Sequence, residues 1–168
     1  DYAGAAYLFE RIADGHSGDR RIRNLLTAAD YYVLANDLYS ANRVMQALDG
    51  TDTTQFPLYP VIRADLLLRN GNTSAALLAL GQAPRSTDEY ITYRYYSTMA
   101  RIQMQADNRR GALDTMLQLD GLMRDEKWRL SNQRAIIALL SGMPVSERQQ
   151  LMIDNDPVLA GWASLADI

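Results

Sequence analysis

One phrase returns along this chain at an interval of about 35 residues, and a repeat of that length leaves few folds open. Setting Ala41, Ala75 and Ala112 in register brings three turn pairs together: Asn36-Asp37, Asn70-Gly71 and Asp107-Asn108. These residue types tolerate the left-handed or bridge conformations in which a helix stops and the chain reverses. After each alanine an apolar stripe is expected at +3, +4 and +7. It reads Val44, Met45, Leu48 in the first copy, Leu78, Ala79 and Gln82 in the second, and Thr115, Met116, Leu119 in the third. Ala5 opens a partial copy with Leu8, Phe9 and Ile12, so the spacings are 36, 34 and 37 residues. That is the period of tetratricopeptide-type units, each a helix, a tight turn and a second helix. The alanine is small because the two helices cross there. One pair cannot bury both its faces, so pairs stack.

The helix before each turn carries its own stripe at i, i+3, i+4 and i+7. The residues are Leu25, Ala28, Ala29 and Tyr32, then Tyr59, Ile62, Arg63 and Leu66, then Tyr96, Met99, Ala100 and Gln103. Gln82, Thr115, Arg63 and Gln103 are the polar exceptions. Helix starts agree with the pattern: Asp19 is expected to cap a helix at Arg20, and Ser86 with Glu89 to form a capping box. Pro84 helps to end the helix before it. No long run reads as β-strand. The expected fold is all-α, a tetratricopeptide-like helical-repeat solenoid of stacked antiparallel helix pairs with an irregular C-terminal cap. It is expected to form a single domain over 1–168, a fragment of a longer protein, with repeats over 1–18, 19–51, 54–84 and 86–124.

From about Asp125 the register is lost, and 125–168 reads as capping helices, as the end of a stacked array requires. "EKWRLSNQRAIIALLSGMP" is one helix ending near Gly142. "VSERQQLMI" is a short one, with Ser146 and Gln149 as a capping box. Asp156-Pro157 is an N-cap followed by proline at the first helical position. The last helix sets Leu159, Trp162 and Leu165 on one face.

Composition narrows the chemistry. A net charge of −3 without any block of Lys and Arg argues against nucleic acid as a partner. Lys127 is the only lysine beside sixteen arginines. Cysteine is absent, which removes disulfides, thiolate nucleophiles and cysteine-zinc sites. No apolar run approaches the roughly 20 residues of a bilayer span. His16, the only histidine, sits in the polar stretch "DGHSGD" and reads as a solvated loop residue, since metal or catalytic use would need partners nearby. Asp88-Glu89 and Asp125-Glu126 are adjacent carboxylates, which point apart on a helix and suit first turns. No G-x-S-x-G and no Walker lysine is present. The chain is expected not to be an enzyme, and to hold no metal and no cofactor.

A binding surface is the remaining candidate. In a solenoid of this kind the first helix of each pair lines a hollow. The register puts Arg23, Leu26, Asp30 and Val33 there, then Pro57, Pro60, Ala64 and Leu67, then Arg94, Ser97, Arg101 and Met104. Arg94 and Arg101 lie two turns apart and, with Arg23, could meet a carboxylate-bearing peptide or glycan. Tyr90, Tyr93, Tyr95 and Tyr96 crowd two turns of one helix and cannot all face the core. Tyr93 and Tyr96 are expected to pack between repeats with hydroxyls at the rim, and at least one of the four could line an interface. The candidate partner-binding residues are therefore Arg23, Asp30, Tyr93, Arg94 and Arg101. Met99, Met104, Met116 and Met123 recur at helical spacing and are expected in the core.

The tail "LSNQRAIIALLSGMPVSERQQLMIDNDPVLAGWASLADI" resembles the N-terminal domain of the LpoA family, outer-membrane lipoproteins that activate a penicillin-binding protein. The family's "N-x-D-x-x-L-x-G-W-x-x-L" is matched by Asn155, Leu159, Gly161, Trp162 and Leu165, after a short helix that opens with a Ser/Thr cap. Ile137-Ala138-Leu139-Leu140 stands where the family often has Trp. Tyr93 to Ile102 also resembles the family's "ARYWQAKI" segment. The resemblance covers roughly the last forty residues in its specific part. It implies a helical-repeat domain on the periplasmic side of the bacterial outer membrane, held there by a lipid anchor outside this chain. It also implies a second domain shaped like a periplasmic binding protein, through which the contact with a class A penicillin-binding protein would mainly run. Peptidoglycan itself is a further implied partner. Two other expectations stay open: a general tetratricopeptide-type adaptor that binds a peptide in its hollow, and the helical wing of a lytic transglycosylase.

Overall fold

The computed structural model describes residues 1–153 and 157–165. Among the described residues the secondary structure is entirely helical. The order is α1 (Tyr2–Asp14), α2 (Gly18–Leu34), α3 (Leu38–Gln46), α4 (Leu58–Arg69), α5 (Thr73–Leu80), α6 (Glu89–Gln105), α7 (Arg109–Leu122), α8 (Glu126–Ser141), α9 (Val145–Ile153) and α10 (Pro157–Leu165). The chain divides into two compact units, Asp1–Thr87 and Asp88–Ile168.

Three of the turns are copies of one hydrogen-bonded device. The residue just beyond α2, α4 and α6 has a positive φ: Asn36 at 61°, Gly71 at 78° and Asp107 at 57°. The N–H of the next residue reaches back to the helix carbonyl five positions earlier: Asp37 to Tyr32 at 2.9 Å, Asn72 to Leu67 at 3.0 Å, Asn108 to Gln103 at 2.8 Å. The left-handed residue itself donates three positions back, to Val33, Leu68 and Met104. This is the Schellman arrangement, which satisfies carbonyls that a helix end leaves without partners. The same Asp37, Asn72 and Asn108 then cap the next helix. Their side-chain oxygens accept from the N–H of Ser40 (3.0 Å), Ala75 (3.1 Å) and Gly111 (2.9 Å). One residue closes one helix and opens the next, so the helix-to-helix connection is nearly rigid.

This geometry corrects the repeat register. Five residues after each left-handed position comes a fully buried alanine: Ala41, Ala76 and Ala112. In the second copy Ala76, not Ala75, is the crossing residue. Its stripe continues through Ala79 and Leu80, at 6% and 0% exposure, whereas Leu78 is 73% exposed. The apparent exception Gln82 was a product of the shifted register and lies in solvent. The partial copy shifts in the same way, because Ala6 is buried whereas Leu8 and Ile12 are exposed.

In the first unit α2 packs against α1, α3 and α4. One cluster gathers Ala6, Ala13, Ala28, Ala29 and Ala41, all at 0% exposure, with Leu25, Leu26, Tyr32, Val33, Val44, Leu48 and Phe56. Small side chains let the helix axes approach closely, and the larger ones fill the space between. Leu26, Asp30 and Val33 are buried, so α2 does not line a hollow with that face. In the second unit Ala100, Ala112, Leu113, Ile136, Leu139, Leu140, Met143 and Leu151 form the core, with Met116, Leu117 and Trp162 packed on it. Met123 is buried as expected, but Met104 is 38% exposed.

The other helix starts depart from expectation. Gly18 opens α2 and Ser17 precedes it, without a side-chain cap; Asp19 lies in the first turn, where its charge suits the positive helix end. For α6 the cap is Asp88, whose Oδ1 accepts from the N–H of Ile91 at 2.9 Å, not Ser86. Glu89 does not complete a box there. Its Oε1 accepts from the backbone N–H groups of Arg124 and Asp125, the latter at 2.7 Å, and so braces the start of α8. Ser146 falls inside α9, which begins at Val145. Asp156, the expected cap of α10, and the Asn155 of the tail motif lie outside the described residues.

Candidate functional site

The five residues singled out for partner binding have different environments. Arg23 is exposed on α2, with its guanidinium carbon 5.3 Å from the centre of the Phe56 ring. Asp30 and Arg94 are buried, at 1% and 4% exposure, and Arg101 is half-buried. All three have interaction partners within the protein. Arg94→Ala is therefore a stability variant before it is a binding variant, because truncating a buried, engaged charge strands the groups around it. Tyr93 is half-buried against α8. Its ring centre is 4.8 Å from that of Trp128, and its hydroxyl is 2.9 Å from Ser131 Oγ. Tyr90 leans on the same indole at 5.3 Å, and Lys127 Nζ lies 4.5 Å from its centre. Tyr95 and Tyr96 meet edge to face. His16 is half-buried and its Nδ1 lies 2.7 Å from the carbonyl oxygen of Ile12, which closes the end of α1.

Polar side chains also brace one repeat to the next. Arg43 on α3 grips Glu10 on α1 through two hydrogen bonds of 2.7 and 2.8 Å, and Tyr32 Oη donates to the same carboxylate at 2.8 Å. The hydrogen bonds from Arg43 hold the Glu10 carboxyl below its ordinary range against the opposing effect of burial. Burial first, then the bond to Glu10, pushes the Tyr32 phenol up to about 12. Arg69 Nε donates to the fully buried Asp65 at 2.9 Å, and its Nη1 donates to Asn36 Oδ1 at 2.8 Å. The left-handed turn residue of one repeat is thus tied to the helix end of the next.

The four polar exceptions in the apolar stripes now separate. Gln82 is explained by register. Thr115 and Gln103 satisfy one another, the hydroxyl donating to Gln103 Oε1 at 2.8 Å. Arg63 remains. It is exposed on α4 and lines a cleft of about 280 Å3 between α3 and α4. Met45 and Leu66, at 8% and 6% exposure, line its apolar part, with Tyr59 half-buried beside them. Asp49, Asn42 and Asn70 supply the polar rim. Among the described residues neither Arg63 nor Asp49 takes part in an ion pair. Sequence pattern had marked Arg63 only as a break in a stripe. The loop residue Asp49 carried no signal at all, because only folding brings it to α4.

Among the described residues no group of three or more His, Asp or Glu could hold a metal ion. No helix among them is long and apolar enough to cross a membrane.

Helix pairs joined by Schellman turns, crossing at buried alanines at intervals of about 35 residues, define the class: an all-α domain of tetratricopeptide-like repeats. Within that class the fold is that of the LpoA N-terminal domain. Full-length LpoA from Haemophilus influenzae superposes with a TM-score of 0.83 at 16% identity, over 99% of this chain and 31% of that one. The N-terminal domain of the same protein gives a TM-score of 0.83 at 17% identity, over 99% of this chain and 78% of the domain. The amino-terminal domain of E. coli LpoA gives 0.73 at 18% identity, over 96% and 73%. The resemblance seen in the tail therefore extends to the fold of nearly the whole chain. The chain spans about a third of full-length LpoA. No protein-family model and no curated protein matches the sequence.

Proposed function

We propose that this chain is a non-catalytic interaction domain of a regulator of peptidoglycan synthesis, one that activates a class A penicillin-binding protein from the periplasmic side of the outer membrane. The single observation that carries the proposal is the likeness to LpoA N-terminal domains over 99% of the chain, together with the tail motif around Trp162. In this role the helical pairs form a stiff scaffold. The lipid anchor and the domain that mainly meets the synthase lie elsewhere in the regulator, and the scaffold holds that domain at the right distance or itself touches peptidoglycan. Stiffness within a unit suits such a role: Schellman turns join α2 to α3, α4 to α5 and α6 to α7, and the Glu10–Arg43 and Asp65–Arg69–Asn36 braces tie helices of the first unit together. Of the residues read as partner-binding, Arg23, Arg101 and Tyr93 are the ones with solvent access.

The test is co-sedimentation of the purified chain with sacculi and, separately, capture by a purified class A penicillin-binding protein. Retention by either, lost on competition with unlabelled chain, supports the role. Retention by neither overturns a direct contact of this chain with peptidoglycan or synthase, and release of soluble muropeptides from the sacculi by the chain alone overturns its being non-catalytic.

A further inference from the structure

We propose that the cleft between α3 and α4 is a binding site for the carboxylate end of a short peptide, with Arg63 as its anchor. Arg63 interrupts an otherwise apolar stripe, and it is the one exception in those stripes that neither register nor an internal hydrogen bond explains. A guanidinium presents a planar fork that matches a carboxylate in two parallel hydrogen bonds, and here no carboxylate of the described protein occupies it. Across the same cleft Asp49 stands as an acceptor of opposite charge, also outside any ion pair among the described residues. Two charges of opposite sign, on the rim of one depression and neither in an ion pair among the described residues, match a ligand that carries its own charges at two ends.

The remaining lining fits a peptide between them. The carboxamide nitrogen of Asn42 is engaged by the Leu38 carbonyl at 2.8 Å, which leaves its oxygen to accept a peptide N–H. The carboxamide of Asn70 can donate to a peptide carbonyl. Met45 and Leu66 offer apolar surface for a small side chain, and the thioether adapts to its shape. The volume of about 280 Å3 lies at the small end of ligand pockets, with room for roughly two small residues. This site lies wholly in the first unit and does not depend on the cell-wall role proposed above.

The experiment is an NMR titration of the 15N-labelled chain with alanyl-alanine, its N-acetyl derivative and its C-terminal amide. The free dipeptide is expected to give saturable shifts at the backbone amides of Asp49, Arg63 and Asn70, and the amide to bind at least tenfold more weakly. Arg63→Gln is expected to lose at least tenfold in affinity with unchanged helicity, because the residue is exposed. Asp49→Asn is expected to weaken the free dipeptide and leave the N-acetyl form unaffected. Equal binding of acid and amide, indifference to Arg63→Gln, or the absence of saturable shifts with all three probes would overturn the proposal.

Discussion

Two leucines two residues apart on α5 provide a sharp test of the register. Leu80 has no exposed surface, whereas Leu78 is 73% exposed. Replacing each with alanine removes the same atoms from the same helix, and alanine is at least as good a helix former as leucine. The difference between the two variants therefore isolates burial. Leu80→Ala removes the equivalent of three methylenes, about 0.8 kcal/mol each in transfer, and leaves a cavity that the α4–α5 contact refills only in part. The expected loss is about 3 kcal/mol. For a chain of this length that lowers Tm by roughly 6–12 °C. Leu78→Ala should stay within about 0.5 kcal/mol of the parent. Urea and thermal unfolding followed by circular dichroism at 222 nm measure both. The register built on Ala76 fails if Leu78→Ala costs as much as Leu80→Ala, or if Leu80→Ala costs under about 1 kcal/mol.

The Glu10 brace sets a pH dependence. Its carboxyl is depressed in the folded state, so the stabilisation is present above the unfolded carboxylate value of about 4.3 and is lost as pH falls through the folded one. Glu10→Gln should flatten the fall in stability below about pH 5, measured as Tm against pH. Tyr32 has the opposite sign: its stabilisation is present below about pH 10 and is lost as pH rises toward its folded value of about 12. Absorbance at 295 nm should show a late-ionising phenol that Tyr32→Phe removes; an unchanged titration curve in Tyr32→Phe would refute the buried bond to Glu10. Asp107 holds a left-handed φ of 57° that glycine adopts without strain, so Asp107→Gly should raise stability by up to about 1 kcal/mol in urea unfolding. Asn132 is 3% exposed and its Nδ2 donates to the Met116 carbonyl at 2.8 Å, joining α8 to α7. Asn132→Ala removes that bond between the two helices, while the carbonyl keeps its partner within α7, and should cost about 0.5–1.5 kcal/mol by the same assay.

What the sequence alone determined was local. Asn36-Asp37 and Asp107-Asn108 announce their turns because the signal and the hydrogen bonds it serves lie within six residues of each other. The helical class, the repeat interval, and the alanines at positions 41 and 112 follow from the same short-range order. In α5 that order runs out. "TSAALLAL" pairs two alanines and then two leucines, so two registers one residue apart look equally apolar, and only packing against α4 chose Ala76 and Leu80. The polar exceptions needed the fold even more. Thr115 and Gln103 look like two defects until α6 and α7 bring them together, and Arg63 looks like a third until folding sets it in one cleft with Asn42 of α3 and the loop residue Asp49. Hydrogen bonds within a turn are encoded by neighbours in the chain; pairings between helices depend on which face each helix turns toward the next, and only the packed structure decides that.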